Sequence, residues 1–385
     1  MLTDLLPEAE DLLREKYNVL DIINLLYFAD NPVALYERLS SVYKECYDPL
    51  DRIIIMHFDT DFYIEANNQL PGFIISNLQH ILSHLNIANC FVLLVTNHQN
   101  IANELTVAQQ LYSNDKIPLP YVVCQLLQWW INPMVISNVE LNSSQITKKY
   151  SCLNGADRSH RTKFIQLLAT NNLIDQGIVS FNQTKLLDNH PVNNIQVPPE
   201  IKNLKFLTTY PWTNVNDLWN SKKINSLINP TIPNPIELDK LPNDINSRYQ
   251  FLKLQESFVY VVTETVFNYP HSFVSEKSYK GITSKRPFII VGAPGCLKLL
   301  RDQGYQTFSD YWDESYDSLI DPADRMLAVY ALVNNICQKS IEELKQLLIS
   351  MQDILNYNFD NYLNSVDRQL KDLEKQCQLN LQRAY

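Results

Sequence analysis

The chain has 385 residues, of which 45% are hydrophobic and 19% are charged, and its formal net charge is −10. This apolar content argues against a disordered chain, and the length predicts two domains plus appendages. The acidic balance disfavours nucleic acid as a partner, because a phosphate backbone attracts basic surfaces. The seven cysteines are scattered without metal-ligand spacing, which argues against a disulfide framework or a zinc site.

Neither a membrane span nor a signal peptide is predicted from the sequence. No stretch approaches the ~20 apolar residues of a membrane span. The first residues are acidic and amphipathic and lack the basic start and apolar core of a signal peptide. The sequence therefore predicts a soluble, cytoplasmic protein without a membrane span.

The N-terminal third predicts a helical cap followed by an α/β domain. Apolar residues recur at helical spacing over residues 1–48, with a break at Asn31-Pro32. Over residues 49–147, the apolar runs Ile53–Phe58 and Phe91–Val95 predict buried parallel strands that flank a helical stretch around residues 73–86. The aromatic stretch Leu126–Met134 is expected to pack this domain against the next one.

The second α/β domain is predicted over residues 148–323, with an irregular insertion rich in proline and asparagine over residues 185–250. Residues 324–385 predict long helices that pack on the body of the protein or form a homodimer. The elements predicted within the second domain are the strand Lys148–Asn154, the helix Ser159–Thr170, the strand Ser257–Val262, the helix Ser275–Thr283, the strand Phe288–Val291, and a helix over Leu297–Gln303 that ends at Gly304.

Polar residues cluster where a strand end and a helix start are predicted to meet. Glu264 follows the strand that begins at Ser257, and Ser275-Glu276-Lys277 opens the next helix. A carboxylate at a strand end can accept hydrogen bonds from ribose or sugar hydroxyls, and free N–H groups at a helix start favour an anion. In the alternative interpretation, Ser275 is only an N-cap, Glu276 and Lys277 are ordinary first-turn residues, and Glu264 makes a structural hydrogen bond.

The order of these motifs resembles the donor-binding half of the fucosyltransferase-like glycosyltransferases. The matching residues are Ser275-Glu276-Lys277, the strand Pro287–Val291 and the loop Gly292–Gly295. The run that continues to Asp317 is similar to glycosyltransferase-like proteins of phages and large viruses. The resemblance implies two facing Rossmann-like lobes of the GT-B type, in which residues 148–323 bind the donor and residues 49–147 present the acceptor. It also implies a nucleotide-diphosphate sugar as donor, with Glu276 and Lys277 contacting its ribose and phosphates, and inversion without an obligatory metal.

A second constellation lies at the turn after the strand Lys148–Asn154. Asn154 and Gly155 lead into Arg158, His160 and Arg161. Guanidinium groups bind phosphate oxygens in a bidentate fork, so Arg158 and Arg161 are candidates for clamping the leaving diphosphate, with Asn154 beside them. Alternatively, this turn only caps a helix, Arg161 pairs with a carboxylate, and His160 is a packed helix residue.

Three acidic residues follow the first predicted strand of the N-terminal domain. Asp59 and Asp61 form a DxD pattern, and Glu65 follows four residues after Asp61. One of the three is a candidate for the base that deprotonates the acceptor hydroxyl. Asp59 and Asp61 also resemble the Mn²⁺ or Mg²⁺ site of the metal-dependent glycosyltransferases. A capping role without chemistry is the third alternative.

Other reaction classes lack their motifs. The run Val291–Lys298 has no Gly-Lys-Ser/Thr ending, and the sequence has no GxGxxG after a strand, no GxSxG and no HExxH. The expected function is glycosyl transfer from a nucleotide sugar to an unidentified acceptor. The alternative from another class is a non-catalytic interaction protein that retains the fold.

Overall fold

The computed structural model describes the chain in segments. The contacts divide the chain into an N-terminal unit (Met1–Leu127, Leu187–Val215 and Asp367–Tyr385) and a C-terminal unit (Gln128–Leu186 and Asn216–Val366). The described residues are Glu15, the N-terminal elements named below, 140–155, 158–181, 221–229, 248–268, 272–365, and scattered positions between 367 and 378.

The N-terminal unit contains a four-stranded parallel sheet. Its elements are β1 (Val19–Asn24), α1 (Pro32–Glu45), β2 (Arg52–His57), β3 (Cys90–Thr96) and β4 (Tyr121–Gln125). The strand order is β1-β2-β3-β4. The two predicted strands are confirmed as β2 and β3, and α1 begins at Pro32, at the predicted break Asn31-Pro32.

The prediction of a helical cap over residues 1–48 is wrong at β1. Val19–Asn24 is a strand that pairs in parallel with β2, with Ile22 opposite Ile55. A short apolar run fits a strand or a helix equally well by periodicity, and here pairing with β2 decides in favour of the strand. The predicted helical stretch around residues 73–86 and the aromatic stretch Leu126–Met134 lie outside the described residues.

The C-terminal unit is a second α/β unit. Its elements are β5 (Lys148–Asn154), α2 (Ser159–Thr170), β6 (Gly177–Phe181), α3 (Lys222–Asn225), α4 (Arg248–Gln255), β7 (Ser257–Thr263), α5 (Glu276–Thr283), β8 (Phe288–Val291), α6 (Cys296–Asp302), α7 (Pro322–Cys337), α8 (Ile341–Ser350) and α9 (Gln352–Leu363). The sheet is parallel, in the order β6-β5-β7-β8. The chain leaves β5 toward β6 and returns on the other side with β7, which places a topological switch point between β5 and β7.

Local sequence explains why these elements form where they do. All residues of β7 and β8 are buried, as expected for apolar strands inside a parallel sheet. The start of α5 is capped by Ser275, whose hydroxyl accepts a hydrogen bond from the Lys277 N–H at 3.3 Å. Gly304 follows α6 with φ +87°, a left-handed conformation that favours glycine, and this confirms the predicted end of that helix.

Of the region 324–385 that was predicted to be helical, α7, α8 and α9 belong to the C-terminal unit, and residues 367–385 belong to the N-terminal unit. Asp321 caps α7, and Ser340 with Glu343 forms a capping box at the start of α8. Leu344, Leu348 and Met351 are fully buried. Within the 185–250 insertion, the structure describes residues 221–229 and the start of α4, and the rest lies outside the described residues.

No helix among the described residues is long and apolar enough to cross a membrane.

Candidate functional site

The candidate site lies at the carboxyl ends of β5 and β7, beside the switch point of the C-terminal sheet. Asn154 ends β5, and Thr263 ends β7. The Thr263 hydroxyl donates to Asn154 Oδ1 at 2.7 Å, and Asn154 Nδ2 donates to the Ser180 carbonyl at 3.0 Å. Asn154 is 1% exposed. Asn154 therefore links the ends of β5, β6 and β7. Because it is buried, it positions these strand ends, whereas the sequence predicted that it contacts the sugar donor.

Glu264 follows β7 and is fully buried. Its Oε1 accepts hydrogen bonds from the Ser275 N–H at 3.0 Å and the Ser278 hydroxyl at 2.6 Å. Its Oε2 accepts from the Ser275 hydroxyl at 2.6 Å and the Thr265 N–H at 3.2 Å. Both oxygens are thus used within the unit. Glu264 therefore makes structural hydrogen bonds that hold the start of α5, as in the alternative interpretation, whereas the other interpretation predicted contact with ribose or sugar hydroxyls.

The start of α2 is fastened to the same residue from the other side. His160 Nε2 lies 2.9 Å from the Glu264 carbonyl oxygen, and Arg161 Nη2 donates to that oxygen at 3.1 Å. A carbonyl can only accept, so His160 carries its proton on Nε2. His160 also stacks on Phe267, with ring centroids 5.5 Å apart. At 2% exposure, Arg161 is a buried residue that links α2 to the end of β7, whereas the sequence predicted a phosphate clamp.

The pKa of His160 lies well below its usual range. Burial is the main cause, and the positive charges of Arg161, Arg158 and Lys277 lower the pKa further. The hydrogen bond to the Glu264 carbonyl opposes this shift but does not reverse it. His160 is therefore neutral in the folded protein, and three cations lie near it.

We expect this neutral histidine to make the fold sensitive to acid. In the unfolded chain a histidine gains a proton near pH 6.5, whereas folded His160 does not, so stability is complete above that pH and is lost as the pH falls below it. The loss is about 1.4 kcal/mol per pH unit. Urea unfolding of the wild type and of His160→Gln between about pH 7 and pH 5 measures it, because the other histidines cancel in the difference. Parallel stability curves would contradict the assignment.

Lys277 and Glu276 lie at the start of α5, and each side chain is 21% exposed. The Lys277 ammonium contacts Glu276 Oε1 at 2.5 Å and the hydroxyls of Thr265 and Ser275 at 3.3 Å each. Burial alone would raise the pKa of Glu276, but the charge and hydrogen bond of Lys277 outweigh it, and the pKa lies below the usual value. Both side chains are accessible at the strand-end edge, as is the half-buried Arg158.

The loop Gly292–Gly295, here called the β8 loop, borders this edge. A Cβ atom on Gly292 would lie 3.3 Å from Glu264 Cβ and 3.0 Å from Ile290 Cγ2, which is tighter than most Cβ contacts in proteins. The absence of a side chain at Gly292 therefore allows the loop to pass close to Glu264. The Ser272 hydroxyl donates to the Pro294 carbonyl at 3.0 Å. The β8 loop therefore packs directly on the segment that leads into α5.

Two residues that organise this edge were not singled out from the sequence. Asp317 accepts hydrogen bonds from the N–H groups of Leu297 and Lys298 at 2.8 and 2.9 Å, so its carboxylate occupies the start of α6. Arg325, at 1% exposure, donates to the carbonyls of Gly292 at 2.9 Å and Phe267 at 2.7 Å. The available signal was the Asp-Pro start of α7, which places Arg325 in the first turn of that helix.

The acidic candidates of the N-terminal unit cannot be placed in the same way. Asp59, Asp61 and Glu65 lie outside the described residues. Over the described part of the chain, no group of three or more histidine, cysteine, aspartate or glutamate side chains is arranged to hold a metal ion. The base and the DxD metal site therefore remain predictions.

Comparisons with known proteins add little to this description. No protein-family model and no curated protein sequence matches the chain. Among solved structures, the chain is similar to the N-terminal domain of trehalose-6-phosphate phosphatase from Candida albicans. The two are 10% identical over 96% of this chain and 82% of that chain, with a TM-score of 0.43. A likeness of this size carries no argument about function, and the assignment to an α/β, Rossmann-like class rests on the parallel order of the strands.

Proposed function

We propose that the C-terminal unit binds a nucleotide-diphosphate sugar and that the protein is a glycosyltransferase. The carrying observation is that β7, α2 and α5 converge on Glu264, which brings Arg158 and Lys277 to the same strand-end edge beside the switch point. Open parallel sheets bind their ligands outside the carboxyl ends of the strands at such a point. A diphosphate is the ligand that accessible cations and a helix start favour together.

In this proposal, the accessible residues contact different parts of the sugar donor. Lys277 and Arg158 contact the diphosphate, whose negative charge grows as the glycosidic bond breaks. Glu276 accepts hydrogen bonds from vicinal hydroxyls of the ribose. To do so it exchanges its contact with Lys277 for the ligand, and the ammonium then turns toward the phosphates. Glu264, His160 and Arg161 are positioning residues that hold the two helix starts in place.

The remaining parts of the proposal rest on the sequence. The two parallel sheets fit the two Rossmann-like halves of a GT-B glycosyltransferase. Asp59, Asp61 or Glu65 supplies the base for the acceptor hydroxyl. The reaction inverts the anomeric centre without an obligatory metal. Mn²⁺-dependent transfer that is abolished by Asp61→Ala would favour the DxD alternative instead.

Donor binding is the first experiment. We expect at least one of the diphosphates of uridine, guanosine, cytidine, adenosine and thymidine to raise the unfolding temperature of the full chain. Calorimetric titration should then show that Lys277→Ala weakens binding roughly ten- to a hundredfold, because a charge-assisted contact with phosphate is lost. Lys222→Ala, which changes an exposed lysine on α3, is the matched control and should bind like the wild type.

The same experiment separates the enzyme from the non-catalytic alternative. That alternative is favoured by the contacts that Lys277 already makes with Glu276, Thr265 and Ser275. If these contacts are permanent, no nucleotide stabilises the protein, and Lys277→Ala changes only its stability. Failure of all five nucleotides to bind would therefore overturn the glycosyltransferase proposal.

A further inference from the structure

A pocket of about 790 Å³ borders the β8 loop in the C-terminal unit. Pro294 and Gly295 form one wall, and the segment around Trp312 forms another. We call it the Trp312 pocket. Its volume falls in the range of sites that hold small ligands, which is about 300–1,000 Å³. The wall at Gly295 is fixed, because the Gly295 N–H donates to the Asp317 carbonyl at 2.7 Å.

The polar side chains of the pocket are held in place by hydrogen bonds with one another and with the backbone. Arg301 Nη1 lies 3.0 Å from the Thr307 hydroxyl and 3.3 Å from Glu314 Oε2, and Arg301 Nη2 lies 3.7 Å from Asp317 Oδ2. Glu314 also accepts from the Thr307 hydroxyl and the Phe308 N–H at 2.7 Å each. The carboxylates of Glu314 and Asp317 are 7% and 8% exposed. These two carboxylates hold Arg301 in place, so its guanidinium loses little entropy when it binds a ligand.

The charge of the lining argues against an anion. The lining contains three carboxylates, those of Asp313, Glu314 and Asp317, and two cations, Lys298 and Arg301. A phosphate-bearing ligand would meet net repulsion here, unlike at the edge that carries Arg158 and Lys277. The pocket is therefore distinct in chemistry from the proposed diphosphate site, although both border the β8 loop.

The remaining lining combines apolar surface with hydroxyl-binding groups. Trp312 is half-buried, and its ring packs on Phe308 with centroids 5.2 Å apart. Ile320 is 78% exposed at the rim. The exposed carboxylate of Asp313, the guanidinium of Arg301 and the hydroxyls of Ser309 and Ser315 match the vicinal hydroxyls of a sugar. An aromatic or aliphatic surface matches its C–H face.

We infer that the Trp312 pocket binds a neutral saccharide. Binding at this pocket does not depend on the proposed glycosyltransferase activity.

Saturation-transfer NMR on the full chain tests the inference. The NMR probes are glucose 6-phosphate and the methyl glycosides of glucose, galactose, mannose and N-acetylglucosamine. A printed array of neutral glycans extends the search to larger saccharides. We expect at least one neutral saccharide to bind and to bind more tightly than glucose 6-phosphate. Ser309→Tyr, which fills the pocket from an exposed position, should weaken binding at least roughly tenfold. Ser226→Tyr, at an exposed serine outside the pocket, should leave binding unchanged.

Asp313→Ala provides a second variant that adds no bulk, and it should weaken the same saccharide. The inference is overturned if no neutral saccharide binds, if binding is equal in Ser309→Tyr and Ser226→Tyr, or if the phosphorylated sugar binds more tightly. Lys277→Ala keeps the two proposals apart. Saccharide binding without any nucleotide binding would reject the glycosyltransferase and keep the pocket, and the reverse result would reject the pocket alone.

Discussion

Glu264→Gln is expected to destabilise the C-terminal unit by about 2–4 kcal/mol, although it changes neither the size nor the shape of the side chain. Each oxygen of the buried carboxylate faces one backbone N–H, that of Ser275 for Oε1 and that of Thr265 for Oε2. Whichever oxygen is replaced by the amide nitrogen, an N–H donor of the glutamine then faces a backbone N–H donor. The hydroxyls of Ser275 and Ser278 can turn to become acceptors, but a backbone N–H cannot.

Urea unfolding followed by circular dichroism measures this loss, with Glu343→Gln as the matched control. Glu343 is also a glutamate at a helix start, and its Oε2 accepts from the N–H and the hydroxyl of Ser340 at 2.7 Å each. Only one oxygen is engaged there, so glutamine can offer its own oxygen, as capping boxes allow. We expect a change within about 0.5 kcal/mol for the control. Equal effects of the two substitutions would show that the Glu264 carboxylate is not required as such.

Sequence patterns located the main elements of the C-terminal unit because their signals are local. The strand β5 and the helix α2 lie where they were predicted, and β8 does too. The strands β4 and β6 were not predicted. Each has five residues, and each pairs with one described neighbour, β3 and β5 respectively. A strand this short is stabilised by a partner distant in sequence, and periodicity within the strand does not reveal that partner.

The site shows the same division between local and long-range information. The sequence identified the polar residues at strand ends and helix starts, but not which of them face the interior. Glu264 and Arg161 are buried, whereas Lys277 and Glu276 are partly exposed. Residue type and spacing do not decide this, because burial at a strand end depends on the loops that cover it. Those loops are held by Arg325, which lies 33 and 58 residues from its partners Gly292 and Phe267.

Arg325→Lys is expected to cost about 3–5 kcal/mol, although the charge is kept. The guanidinium donates through Nε to Gly292, through Nη1 to the carbonyls of Leu319 and Ile320 at 2.5 and 3.1 Å, and through Nη2 to Phe267. It also lies over the Phe267 ring at 4.7 Å from the centroid. A lysine ammonium is a single point and cannot reach carbonyls on three loops at once, so buried acceptors lose their donors.

The same urea measurement, with Lys339→Arg, the reverse exchange at an exposed position of the same unit, as the control, should show this loss for Arg325→Lys alone. Because Phe267 follows β7 and Gly292 follows β8, releasing Arg325 frees both loops that border Glu264. Nucleotide binding should then weaken even at temperatures where the variant remains folded. If Arg325→Lys is as stable as the control, or if it is destabilised but binds nucleotide like the wild type, these loops do not depend on Arg325 for the geometry of the site.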